Sequence, residues 1–175
     1  MAHRPETTDE LAAWFAGQVP DDWFTAPPAV TVDREEIVVT GEIAAPSLDS
    51  EGERPETERG VAEESRISAF REETRGRRIK IAERAESMMR RKVSWVVRCG
   101  GTEVPFTTLS APVMTRLRMP ERQVLDTLIG AGVARSRSDA LAWCVRLVSR
   151  NQEEWIDRLR DAISEVDRVR GEGPP

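Results

Sequence analysis

One histidine, two cysteines, two lysines and no tyrosine occur in a chain of 175 residues. Each scarcity closes off a class of function. The lone histidine, His3, lies at the N-terminus, so a Ser–His or Cys–His nucleophilic pair is not expected. Cys99 and Cys144 lack zinc-ligand spacing and are too few for a disulfide scaffold. Cys144 reads instead as a small hydrophobe on a helix face. No apolar run approaches the roughly 20 residues needed to span a membrane, and the opening MAHRPETTDE has no apolar signal region. Neither G-x-x-x-x-G-K-[ST] nor G-x-G-x-x-G occurs. The expectation is a cytoplasmic protein that is not an enzyme and holds no metal or cofactor.

What is present is charge, and it is segregated. The formal net charge is −5. Residues 1–65 hold 16 acidic and four basic side chains, a net of −12. Residues 66–150 hold eight acidic and 18 basic, a net of +10, and residues 151–175 carry −3. A basic middle between acidic ends is the footprint of polyanion binding, or of charge pairing between segments. Nearly all the positive charge is arginine, which favours bidentate contacts to phosphate and guanine; a compositional bias toward arginine codons would give the same excess.

Thr8 to Phe15 predicts a short helix with Thr8 as N-cap and Leu11, Trp14 and Phe15 on one face. Trp23 and Phe24 add to an aromatic cluster that reads as sheet packing, because the local charge is too negative for a base-stacking platform. Ala29–Val32 and Ile37–Ile43 flank Asp33-Arg34-Glu35-Glu36, a β-hairpin pattern. The Glu35-Glu36 pair has no second cluster to make a metal site and reads as a solvated loop. Residues 46–62 are nearly devoid of apolar side chains at their start and read as a flexible acidic linker.

Glu63 to Lys92 is helix-favouring, with nine basic and four acidic residues from 71 to 92. Its basic face suits either a phosphate backbone or a surface laced with charge pairs. Val93–Arg98 and Glu103–Thr108 flank Cys99-Gly100-Gly101-Thr102, where Gly-Gly signals a tight hairpin. Pro105 predicts an edge strand. The two hairpins are expected to share a sheet, making residues 1–45 and 63–110 a small α+β unit.

Residues 114–148 carry the most specific pattern. Met114-Thr115-Arg116-Leu117-Arg118-Met119 alternates apolar and charged positions, as a half-buried strand does. Pro120 stands where a helix begins and biases Met119 toward an extended backbone. Val124, Leu125, Leu128 and Ile129 define one helical face, and Gly132 is a candidate left-handed cap. Ser136-Arg137-Ser138-Asp139 reads as a capping box opening a second helix. In order and size this stretch, within 111–150, resembles the ribbon–helix–helix DNA-binding domain.

The resemblance implies a homodimer whose strands pair into an antiparallel ribbon in the major groove. It places Thr115, Leu117 and Met119 in the dimer core with Leu125, Leu128 and Leu141. It turns Met114, Arg116 and Arg118 toward base edges, where arginine can donate two bonds to guanine. Ser136 and the amides of Arg137 and Ser138 would hold a DNA phosphate at the helix N-terminus. Many members carry this unit at their extreme N-terminus, whereas here over a hundred residues precede it.

Residues 151–175 supply Trp155, Leu159, Ala162, Val166 and Val169 at alternating spacings of four and three, with Ile156 and Ile163 widening the stripe. That is a short heptad seam. Two functions remain open at this point. One is a transcriptional regulator that binds double-stranded DNA as a homodimer. The other is a protein-interaction module, with an antitoxin-like protein as an intermediate case, in which the same unit mainly dimerises and the N-terminal part binds a protein partner.

Overall fold

The computed structural model describes Pro5, residues 7–47 and residues 56–172. The architecture is α+β, with five helices and one four-stranded sheet among the described residues. The chain divides into two compact units, residues 1–112 and 113–175.

The first unit opens with α1 (Thr8–Gln18). Its N-cap is Thr7, one residue before the expected Thr8. The Thr7 hydroxyl accepts from the Glu10 amide at 3.2 Å, and the Glu10 carboxylate accepts from the Thr7 amide at 3.4 Å. A reciprocal box needs an acid three residues on; Thr7 has Glu10, whereas Thr8 has Leu11. Leu11 and Phe15 are buried.

The first hairpin comprises β1 (Ala29–Val32) and β2 (Glu36–Glu42), paired antiparallel. Its turn is held by Asp33, whose carboxylate accepts from the amides of Glu35 and Glu36 at 2.9 and 2.7 Å. Those two backbone bonds hold the Asp33 carboxyl below its ordinary range. The second hairpin comprises β3 (Lys92–Cys99) and β4 (Thr102–Pro105). Gly100 takes φ +58° in the turn, a conformation that favours glycine. The return strand ends at Pro105 rather than Thr108, and Phe106 turns into the core. β4 lies at the sheet edge, where a proline costs no ladder bond.

Between the hairpins runs α2 (Glu56–Met89), 34 residues long. β2 and β3 are the central strands and pair parallel, with Val39 opposite Trp95. A parallel pair requires a crossover connection, and α2 provides it. The start of α2 corrects the expected linker: residues 56–62 are helical, and of that linker residues 48–55 lie outside the described residues. Low apolar content argues against a core but not against the exposed first turns of a helix. Glu56 and Glu58 there complement the helix dipole. The helix also ends at Met89 rather than Lys92, with Arg90 in a left-handed conformation at φ +55°.

Alternation along the strands turns Ile37, Val39, Val93, Trp95 and Val97 to one face, all buried beneath α1 and α2. Phe15, Trp23, Phe70, Trp95 and Phe106 form a chain of ring contacts with centroids 5.6 to 6.4 Å apart. Glycine is required at position 41, because a Cβ there would stand 2.2 Å from the Phe24 ring. The buried face of α2 also carries two polar side chains, Thr74 and Arg78. Arg78 Nε donates to Thr74 Oγ1 at 2.9 Å, its Nη2 donates to the Arg71 carbonyl at 2.7 Å, and its guanidinium lies 4.5 Å from the Phe106 ring centre. Burial, then the nearby Arg71, lowers its pKa to about 10. One charge of the supposed phosphate-binding face is thus part of the core.

The second unit contains α3 (Met119–Gly130), α4 (Arg137–Asn151) and α5 (Glu153–Glu172). Residues 113–118 form no strand. A strand is defined by its ladder partner, and no described residue pairs with this segment. The helix begins one residue earlier than expected: Met119 is its first residue, Pro120 stands inside the first turn, and the extended N-cap is Arg118. Gly132 adopts φ +75° and its amide donates to the Ile129 carbonyl, closing α3 as its sequence position predicts.

Candidate nucleic-acid interface

The residues that the sequence assigns to DNA lie in two places in the second unit. Met114, Arg116 and Arg118 occupy the segment ahead of α3, and all three are exposed, Met114 at 97%. Leu117 between them is half-buried. The segment is secured at its C-terminal end by Arg122, whose Nη1 donates to the Leu117 carbonyl at 2.7 Å. That contact was not foreseen. An i, i+5 link from side chain to backbone leaves no trace in hydrophobic periodicity.

Ser136, Arg137 and Ser138 form the start of α4 and are exposed. The Ser136 hydroxyl accepts from the Asp139 amide at 3.2 Å. The box is not reciprocal: Asp139 accepts from the amide of Arg135, not of Ser136, at 3.0 Å. The amides of Arg137 and Ser138 belong to the first helical turn and have no acceptor within the helix. The geometry therefore retains an anion-attracting end.

Arg137 is differently placed from expectation. Its Nε and Nη2 donate to the two carboxylate oxygens of Asp126 at 2.8 and 2.7 Å, a bidentate pair joining α3 to α4. This hydrogen-bonded pair lowers the Asp126 pKa and raises that of Arg137. A guanidinium already held by both oxygens of a carboxylate is not a free phosphate ligand. The two residues are 11 positions apart, so only the α3–α4 turn brings them together.

Of the expected dimer-core residues, Leu125 is buried; Leu117, Leu128 and Leu141 are half-buried around it. Met119 and Thr115 are exposed in the single chain, Met119 at 62%. Among the described residues, the buried apolar set of this unit is Leu125, Ala134 and Ala140. Val124, Val133, Val145, Leu147 and Val148 remain exposed. Cys144 packs against the small core, as its helix position suggests. Among the described residues no group of three histidine, cysteine or acidic side chains is placed to hold a metal ion. No described helix is long and apolar enough to cross a membrane.

These features define a class: a two-unit α+β protein, a helix-covered mixed sheet followed by a helical unit with an incomplete core. Residues 9–105 match the Rv1265-like protein N-terminal domain, and residues 118–170 match the Mb1296 C-terminal domain. One match falls in each unit. The chain is 53% identical over 174 residues to protein Mb1296 of Mycobacterium bovis and to protein Rv1265 of Mycobacterium tuberculosis. In each case the alignment covers 99% of this chain and 74% of the relative. The chain belongs to the Rv1265-like family. No solved structure matches it.

Proposed function

We propose that this protein is a homodimeric, DNA-binding regulator of transcription, acting in the cytoplasm without catalysis. Two copies pair residues 113–118 into an antiparallel ribbon, and Met114, Arg116 and Arg118 read base edges in the major groove. Ser136 and the amides of Arg137 and Ser138 grip the flanking phosphate. The observation that carries this reading is the exposed 113–118 segment, leading directly into a helical hairpin whose core is three residues. Such a segment gains ladder bonds, and such a core gains apolar cover, only from a partner.

Binding-site selection on random duplex DNA tests the reading. Arg116→Ala or Arg118→Ala should relax preference at particular base positions, at a cost of about 1–3 kcal/mol each. Log affinity should fall with log salt with a slope near about −5, from roughly six phosphate contacts at about −0.9 each. Uniform weakening without loss of preference removes base reading by the ribbon. No binding to any duplex at low salt removes the proposal.

The Asp126–Arg137 pair favours a second reading, in which this unit mainly dimerises and the N-terminal part recruits another protein, as in an antitoxin. With Arg137 engaged, the α4 end offers fewer phosphate ligands. Asp126→Ala decides between them. Released Arg137 should strengthen DNA binding and steepen its salt slope by about one if the helix end contacts phosphate; an unchanged slope favours the interaction module.

A further inference from the structure

α5 buries none of its residues. Trp155, Leu159, Ile163, Val166 and Val169 are 42 to 60% exposed, on a helix otherwise made almost wholly of charged residues. Solvent does not select such a stripe; a partner surface does. Its spacing places Trp155, Ala162 and Val169 at one seam position of a heptad and Leu159 and Val166 at the other.

We propose that α5 pairs antiparallel with α5 of a second copy of this chain. Side-chain volume selects the direction. A parallel, in-register pair would set Trp155 against the partner's Trp155 and Ala162 against the partner's Ala162. One layer is overfilled and the other leaves a void, both costly in a close-packed seam. The antiparallel register sets Trp155 against the partner's Val166 and Leu159 against the partner's Ala162. By two-fold symmetry each of these two layers occurs twice, and both join a large residue to a smaller one, with Val169 lying beyond the last of them.

The flanks agree. In this register Ile156 meets the partner's Ile163 on one side of the seam, which covers the two isoleucines that widen the stripe. On the other side Arg158 meets the partner's Glu165. Glu165 is held by Arg168 within its own helix at 2.6 and 2.9 Å, and its side chain stays 61% exposed and open to a second cation. The parallel arrangement would instead place Arg158 beside the partner's Ile163. Just over two heptads is short for an independent coiled coil, so the pairing operates between chains already held together or at high local concentration. The inference shares only self-association with the DNA-binding reading.

Cysteine cross-linking of the full chain tests it. In a Cys99→Ala, Cys144→Ala background, Leu159→Cys and Ala162→Cys are prepared on separately tagged chains. Both substitutions lie on the exposed face of α5; Cys99→Ala removes one buried sulfur from the first unit's core, so the near-ultraviolet circular dichroism of the background checks that this unit stays folded. Mixed chains should form a disulfide between positions 159 and 162 under mild oxidation, and neither chain alone should cross-link efficiently. Ile163→Glu added to both should abolish the cross-link while the circular dichroism spectrum is retained. Same-position cross-links, 162 to 162 or 159 to 159, would overturn the antiparallel register. Absence of all cross-links in a folded, self-associated protein would overturn α5 pairing altogether. Loss of the cross-link with DNA binding intact bears on this inference alone.

Discussion

The two units solve the problem of burial in opposite ways. The first encloses 16 buried residues in one cluster, drawn from α1, α2, every central strand and the loops between them. The second encloses three. Both are rich in helix and both are highly charged, so the difference is not one of secondary structure. It arises because the sheet gives the first unit a continuous apolar face for two helices to cover. The second unit has three helices and no such face within one chain. A domain with so small a core is expected to complete it by association. The contrast teaches that the first unit carries a core of its own, while the second carries a small one that the proposed association would complete.

The largest test of that contrast is to remove the centre of each core. Phe15→Ala, at a fully buried ring touching Trp95, should cost about 3–5 kcal/mol. The loss should be independent of protein concentration in thermal melts. Leu117→Asp should instead unfold or monomerise the second unit and leave the first unit's near-ultraviolet aromatic signal unchanged. In the wild type the second unit's melting temperature should rise with protein concentration, as it does for any fold completed by binding. Sedimentation showing a monomer at all concentrations would erase the contrast.

A smaller effect is expected at Gly41. Adding a methyl group drives it into the Phe24 ring, so Gly41→Ala should destabilise the first unit by about 1–3 kcal/mol by chemical denaturation. Gly76 makes the opposite prediction. It lies inside α2 with open space where a Cβ would stand, so Gly76→Ala should stabilise by roughly 1 kcal/mol. Opposite signs at two glycines of one unit would confirm that packing at 41 and helix propensity at 76 act separately.

The smallest effect concerns pH. Arg137 lowers the folded-state pKa of Asp126 below its unfolded value. The contribution of the pair is therefore fully present above the ordinary carboxylate range and is lost as pH falls through the lowered folded value. Both side chains are about half exposed, so the loss should be slight and should shrink further in high salt. Asp126→Asn should remove this component of the acid dependence in the second unit and leave the first unit's unchanged.

Much of the first unit was legible in the sequence because its signals are local. β-Branched runs located β1 and β2, Gly100-Gly101 located the turn between β3 and β4, and Pro105 marked the edge, whereas the alternation at 114–119 located no strand. Gly132 and Ser136 likewise located the ends of α3 and α4. These are choices of backbone conformation made within a few residues. The start of α2 escaped because a polar, exposed first turn resembles a linker in composition. The candidate site was legible in part: the Ser136 cap stands where the pattern puts it, whereas Arg116 and Arg118 are exposed in a segment that forms no strand.

What only the tertiary structure decided are the relations between distant residues. The parallel pairing of β2 with β3 depends on where α2 returns the chain, and alternation is identical in parallel and antiparallel strands. Arg78 looked like one more surface charge. It is buried because Thr74, the Arg71 carbonyl and the Phe106 ring together replace the water it gives up. Arg137 looked free until the turn brought Asp126 within reach of its fork. Sequence determines local backbone preference and the side a residue presents. Which charge meets which partner is set by packing across many residues, where short-range pattern carries no information about distance.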